Sequence, residues 1–210
     1  MFAERNVEYV HETDSKKMDL VFVGDECAST TSTNLAPPCI VDGDTIVSQN
    51  IPVHVYVGKR LGFKSYNVDS EVMLQFMCDL DDLHSEMRRA HVAGQEGNDV
   101  VALKKYLTGD RFLSHIKSID RSIRGDPYYF SDQPTYVDFI AVGYFDMMET
   151  IILGPLSSHT GLDFLADAPK LKGVLTAIRG LPSAERLPKL PLVPPPFVMS
   201  AERAASWDNC

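Results

Sequence analysis

The sequence predicts a small α/β unit followed by an all-helical domain, and three observations carry that reading. Two apolar runs, Pro38-Cys39-Ile40-Val41 and Thr45-Ile46-Val47, flank Asp42-Gly43, the strongest two-residue hairpin signal in the chain. Directly after them, Asn50 reads as a helix N-cap with Pro52 in the first turn, Lys59 and Arg60 at the far end and Gly62 as a C-cap. From Glu71 onward, apolar residues recur at helical spacing almost to residue 190.

Taken in order, Met1-Phe2-Ala3-Glu4-Arg5-Asn6 reads as the last turns of a helix and Val7-Glu8-Tyr9-Val10-His11 as a strand. Signals are weak from Glu12 to Leu35. Asp19 to Gly24 is a short strand or a helical turn, and Ala28 to Asn34 is a loop by composition. Within the segment that Asn50 opens, Val53-His54-Val55-Tyr56-Val57 alternates with period two, so by itself it reads as a strand. The caps around it favour a helix. Residues 63–70 form a polar linker. Val72, Leu74, Phe76, Met77, Leu80, Leu83 and Met87 then mark a long helix from about Glu71 to Ala93. Gly94 to Asn98 breaks it, and Val101 to Gly125 is helical again. Thr135-Tyr136-Val137-Asp138 is a capping box opening an apolar helix, Phe139 to Leu153. A last helix starts at Pro169, after which residues 191–210 form a Pro-rich stretch and a polar tail, expected to be loosely attached.

Composition narrows the function classes. The 210-residue chain carries a net charge of −9, and an acidic surface argues against nucleic acids and anionic membranes as partners. Its four cysteines show neither a CxxC pair nor zinc spacing, so reduced thiols in a cytoplasmic protein are expected, with no metal site. No apolar run approaches the roughly 20 residues needed to span a bilayer, and no N-terminal signal pattern is evident.

The stretch from Asn34 to Phe63 resembles the glutathione-binding half of a glutathione transferase. The matching positions are Ala36-Pro37-Pro38, Asp42-Gly43-Asp44, Gln49-Asn50 and Tyr56-Val57-Gly58, and together they cover about thirty residues. The box at Thr135 and Asp138, roughly 90 residues beyond Gln49-Asn50, is similar to the one that opens the family's sixth helix. The resemblance implies a thioredoxin-like domain over 1–62, truncated by loss of its first strand, the linker at 63–70, a glutathione-transferase-type helical domain over 71–190 and the tail at 191–210. It also favours helix over strand at 53–57.

What the resemblance implies about chemistry centres on four residues. Pro38 would follow a cis bond, so that Pro37 presents its backbone to the cysteinyl part of glutathione, the co-substrate. Pro37 has no N–H, which removes one expected bond worth about 0.5–1.5 kcal/mol. Gln49 and Asn50 would hold the γ-glutamyl end, its carboxylate resting on the helix N-terminus. Without the resemblance, Pro37-Pro38 reads as a stiff loop, Asn50 as a plain cap and Gln49 as a solvated strand end. The family's catalytic Tyr, Ser or Cys would lie upstream of residue 1, so no catalytic residue is assigned. Cys39 reads as a buried, inert thiol, and His84 and His91 as one solvated helix face. The function expected is conjugation of glutathione to small electrophiles by a homodimeric, detoxifying transferase. The alternative is a non-catalytic transferase-like module for binding or interaction.

Overall fold

A computed structural model describes residues 1–10, 12, 38–65, 68–186 and 198–209. A 3-10 turn, Ala3–Arg5, comes first, followed by strands β1 (Cys39–Asp42) and β2 (Thr45–Ser48) and helix α1 (Asn50–Arg60). The helical part comprises α2 (Ser70–Ala93), α3 (Val101–Leu107), α4 (Asp110–Ser122), α5 (Tyr136–Met148), α6 (Gly154–Thr160), α7 (Pro169–Arg179) and α8 (Ala201–Ala205). Among the described residues the sheet is the antiparallel pair β1–β2 alone.

The hairpin register places Ile40 opposite Val47, Val41 opposite Ile46 and Asp42 opposite Thr45. The loop is therefore Gly43-Asp44, one residue later than the Asp-Gly dipeptide suggests. Gly43 supplies the positive φ, +59°, that a tight loop demands at its first position. The strand expected at the N-terminus is corrected. Asn6 turns the chain back with φ 52°, Val7 N–H bonds the Phe2 carbonyl, and the Tyr9 ring stacks on Phe2 at 4.8 Å. Val7 to Val10 thus folds onto its own N-terminal turn instead of a sheet; His11, Asp19–Gly24 and Ala28–Asn34 lie outside the described residues.

Residues 53–57 are helical. The propensity cost of their β-branched residues, at most about 0.7 kcal/mol each, is overridden by packing. Gly58 shows why α1 lies where it does: a Cβ there would stand 2.4 Å from Tyr136 Cβ. Only glycine lets α1 settle directly on α5.

The long helix α2 buries Met73, Phe76, Met77, Leu80, Leu83, Met87 and His91 against α3, α4 and α5. Burial of His91 corrects the expected solvated face, and the cause is the tail. Arg203 is buried, donating to the His91 carbonyl and, at 2.9 Å, to the Asp99 carbonyl, so its charge caps the C-terminal end of α2. Trp207 is also buried, with Lys104 over its ring and Phe164 against its edge. Residues 198–209 are a docked element and not a loose tail; the prolines from Pro191 to Pro196 lie outside the described residues.

The capping box is present, and more consequential than a surface cap. Asp138 is fully buried and accepts from Thr135 N–H at 2.7 Å, Thr135 Oγ1 at 2.8 Å and Tyr129 N–H at 2.7 Å. Burial pushes its carboxyl pKa up, and these three donors oppose that shift. From this cap, α5 continues through a π-helical turn, Glu149–Leu153, into α6. The continuous helix, Tyr136–Thr160, is long and apolar enough to cross a membrane by length and composition, which corrects the expectation that no such run exists. Within the protein 44% of its apolar window is buried, and it packs on α1, α2 and α7.

Two predictions follow from this packing. Asp138→Ala strands two buried N–H groups and a hydroxyl, and should lower unfolding free energy by about 2–4 kcal/mol. Chemical denaturation should show a lower midpoint with an unchanged slope, and a wild-type midpoint would refute the role given to the cap. Arg203→Ala should release the C-terminal element. The single tryptophan, Trp207, reports this directly: its emission should shift to the red in the variant without denaturant. A wild-type spectrum would show that Arg203 does not hold the tail.

Candidate functional site

The corner where β2 passes into α1 gathers the residues singled out in the sequence. Gln49 sits at the corner with φ 74° and ψ 147°. Asn6 and Asn98, the other described non-glycine residues with positive φ, have φ of 52° and 50° and belong to a residue type that tolerates that region. Gln49 instead occupies backbone space that glycine alone visits freely, at a cost of about 1–3 kcal/mol. Strain of this kind persists only where the surroundings impose it, and it concentrates at ligand sites.

Gln49, not Asn50, is the N-cap of α1, and Asn50 is its first helical residue. The sequence reading is off by one because the Asn50 carboxamide does not cap the helix. The Asn50 carbonyl receives the His54 ring at 2.8 Å, and burial lowers the His54 pKa.

The start of α1 is equipped for an anion. The helical ladder begins with Val53 N–H on the Gln49 carbonyl at 3.1 Å, and Pro52 has no N–H. The ladder therefore uses neither the Asn50 nor the Ile51 N–H. No acidic residue stands in the first turn to satisfy the helix dipole. A carboxylate fits this corner, with two backbone N–H groups and the Asn50 side chain beside it. Pro38, one step beyond the Cys39–Ser48 pair, stands across the hairpin mouth from Gln49. Pro37, and with it the geometry of the Pro37–Pro38 bond, lies outside the described residues.

A polar clamp fixes the helix on the hairpin. Tyr56 donates to Asp42 Oδ2 at 2.8 Å, and Arg60 donates to the same oxygen at 2.8 Å and 3.1 Å. Arg60 and then Tyr56 hold the Asp42 carboxyl below its usual range.

Sequence reading missed the helical-domain side of the corner. Tyr144, on α5, donates its hydroxyl to Asp81, on α2, across 63 residues of sequence. The His84 ring lies against Tyr144 with centroids 5.1 Å apart. Burial, and next the bond to Asp81, push the Tyr144 pKa up. Tyr144 reads in sequence as one more apolar-stripe residue of α5, so nothing there marks it.

Among the described residues neither thiol is arranged as a nucleophile at this site, and Cys39 is half-buried, which corrects the buried position expected of it. Cys39 Sγ approaches its neighbour's carbonyl, Ile40, at 3.8 Å on β1. Cys78 is exposed on α2, and partial burial with Asp81, Asp79 and Asp82 raises its pKa. Among the described residues no cluster of three or more His, Cys, Asp or Glu side chains is arranged for a metal. A separate cleft of about 380 Å³ lies between α6 and α7, over Leu153, Phe164 and Leu175. The ion pairs Lys172–Asp163 and Arg179–Glu149 stand at its rim, and no residue of the β2–α1 corner lines it.

No family model matches the sequence, and no curated protein sequence matches it. The fold is similar to that of the solved Pi-class glutathione S-transferase of Onchocerca volvulus, with a TM-score of 0.62 and 15% identity over 88% of this chain and 82% of that one. The chain therefore has the glutathione-transferase fold, a thioredoxin-like portion leading into a helical domain.

Proposed function

We propose that the chain binds glutathione at the β2–α1 corner and is a glutathione-transferase-like protein acting on small electrophiles. The observation that carries this reading is the corner itself. Gln49 is strained at the N-cap, and the N–H groups of Asn50 and Ile51 lie outside the helical ladder, which supports an α-carboxylate at the start of α1 with the Asn50 side chain next to it in sequence. The fold likeness to a glutathione S-transferase points the same way. Gln49 and Asn50 would receive the γ-glutamyl end, and Pro37 and Pro38 would border the cysteinyl part.

Conjugation at such a site needs little beyond a thiolate. The glutathione S–H gives its proton to solvent, the sulfur forms a bond to the electrophilic carbon, and that carbon releases its leaving group. A free thiol has a pKa near ~8.5, so efficient turnover at neutral pH requires a donor that stabilises the thiolate. One observation favours a second reading, a binding module without efficient chemistry. The hydroxyl that the described structure brings to the corner, Tyr144, gives its proton to Asp81 and has a raised pKa.

Calorimetry with glutathione tests the site. The wild type should bind, and Asn50→Ala should bind about 3–10-fold more weakly, the worth of one hydrogen bond. Equal affinities would remove Asn50 from the site. Conjugation of an activated aryl halide separates the two readings: turnover supports the transferase, and binding without turnover supports the module. We also propose a two-fold homodimer, with Val41 on the hairpin and Leu74 on α2, both exposed apolar residues, within the interface. Light scattering at micromolar concentration should give twice the chain mass, and a monomer mass would overturn this.

A further inference from the structure

The cleft between α6 and α7 takes no part in the glutathione reading. One wall is α7, where Lys172, Leu175, Thr176 and Arg179 follow at i, i+3, i+4 and i+7 and so form a single stripe along the helix. The opposite wall is the π-helical turn Glu149–Leu153 with the start of α6. Turns of this kind are rare and gather at functional sites. Here the Gly154 N–H closes the wide turn on the Glu149 carbonyl, and a Cβ at 154 would stand 2.6 Å from that oxygen. The turn therefore requires glycine, which leaves that part of the wall without a side chain.

Leu153, Leu165, Leu175 and the half-buried Phe164 ring supply the apolar lining. The charges at the rim are already matched. Lys172 holds Asp163, and Arg179 holds Asp146 at 2.6 Å and Glu149 at 2.8 Å. A charged ligand would lose hydration without gaining an uncommitted partner, whereas an uncharged one leaves both sets of pairs intact. Lys172 and Arg179 stand two turns apart on α7, about 10 Å at the helical rise. The volume of about 380 Å³ lies within the roughly 300–1,000 Å³ of small-molecule sites. We propose that this cleft is a second binding site, for an uncharged, flat ring system about 10 Å long that lies between the two sets of ion pairs. Thr176 Oγ1 gives its own proton to the Lys172 carbonyl at 2.8 Å, so its oxygen is left to accept from an N–H or O–H of the ligand. The site is independent of the β2–α1 corner, none of whose residues lines it.

N-phenyl-1-naphthylamine, an uncharged ring system with one N–H, tests this on the full chain. Trp207, the single tryptophan, packs edge-on against Phe164 with ring centroids 6.0 Å apart, so a probe in the cleft should quench its emission by energy transfer. Titration should give saturable quenching with a matching rise in probe emission, both unchanged by excess glutathione. Thr176 is exposed, so Thr176→Phe fills the cleft from its rim without entering the core and should weaken binding about tenfold or more. Ser157→Phe fills it from α6, and replaces the first variant should that one fail to fold. The anionic relative 8-anilino-1-naphthalenesulfonate should bind about tenfold more weakly than the uncharged probe. No saturable binding, equal binding by wild type and the filled variants, or displacement of the probe by glutathione would overturn the site. A sulfonate that binds as tightly as the uncharged probe would overturn the ligand class. A wild type that binds the probe but not glutathione would remove the reading of the β2–α1 corner and support this one.

Discussion

The buried carboxylate of Asp138 is the constraint on which the remaining structure depends. Its cost is high, since a carboxylate at 0% exposure loses all hydration. Three donors at 2.7–2.8 Å compensate, and two of them are backbone N–H groups that would themselves be orphaned without it. The arrangement ties the 124–130 loop to the first turn of α5. It also places Tyr136 one residue past the cap, where its N–H meets the Phe63 carbonyl at 2.8 Å and its side chain meets the bare backbone of Gly58. The position of α1, and so of Gln49 and Asn50, follows from a cap roughly 90 residues away in sequence.

Much of this was legible in the sequence because it rests on local rules. A hairpin needs a residue that tolerates positive φ between two β-prone runs, and Gly43 announces it. A capping box needs Thr and Asp three residues apart, and Thr135 and Asp138 announce that. The tail defeated sequence reading because its attachments are long-range. Nothing near Arg203 says that its guanidinium meets carbonyls at His91 and Asp99, or that Trp207 lies beside Lys104. His91 was misjudged for the same reason, since a histidine beside arginines on a helix reads as solvated until another element covers it. Val7 to Val10 failed differently. Its alternation is sound strand patterning, but a strand exists only with a partner, and here Phe2 and the turn at Asn6 take the segment instead.

The site was half legible, for a related reason. Gln49 and Asn50 belong to a contiguous motif, so the hairpin-to-helix corner could be found. Its mechanics could not, because α1 starts one residue earlier than Asn50 suggests and leaves Gln49 as the cap, in a backbone region that propensity would never assign to glutamine. Local preference loses at this corner at a cost in strain, the pattern expected of a ligand site.

Fold likeness by itself does not reach the chemistry. At 15% identity, what this chain shares with a glutathione S-transferase is its fold, and within this chain α1 rests on the hairpin and on the helical domain. That geometry fixes where a carboxylate can be held but is silent on how a thiol would be ionised. Holding an anion takes only N–H groups that a helix start provides in any sequence. Ionising a thiol takes a donor whose proton is not already given to a stronger acceptor. Tyr144 fails that condition, because its hydroxyl already donates to Asp81. On the proposed reading, the ionisation of a glutathione sulfur at this corner would therefore call for a group other than Tyr144.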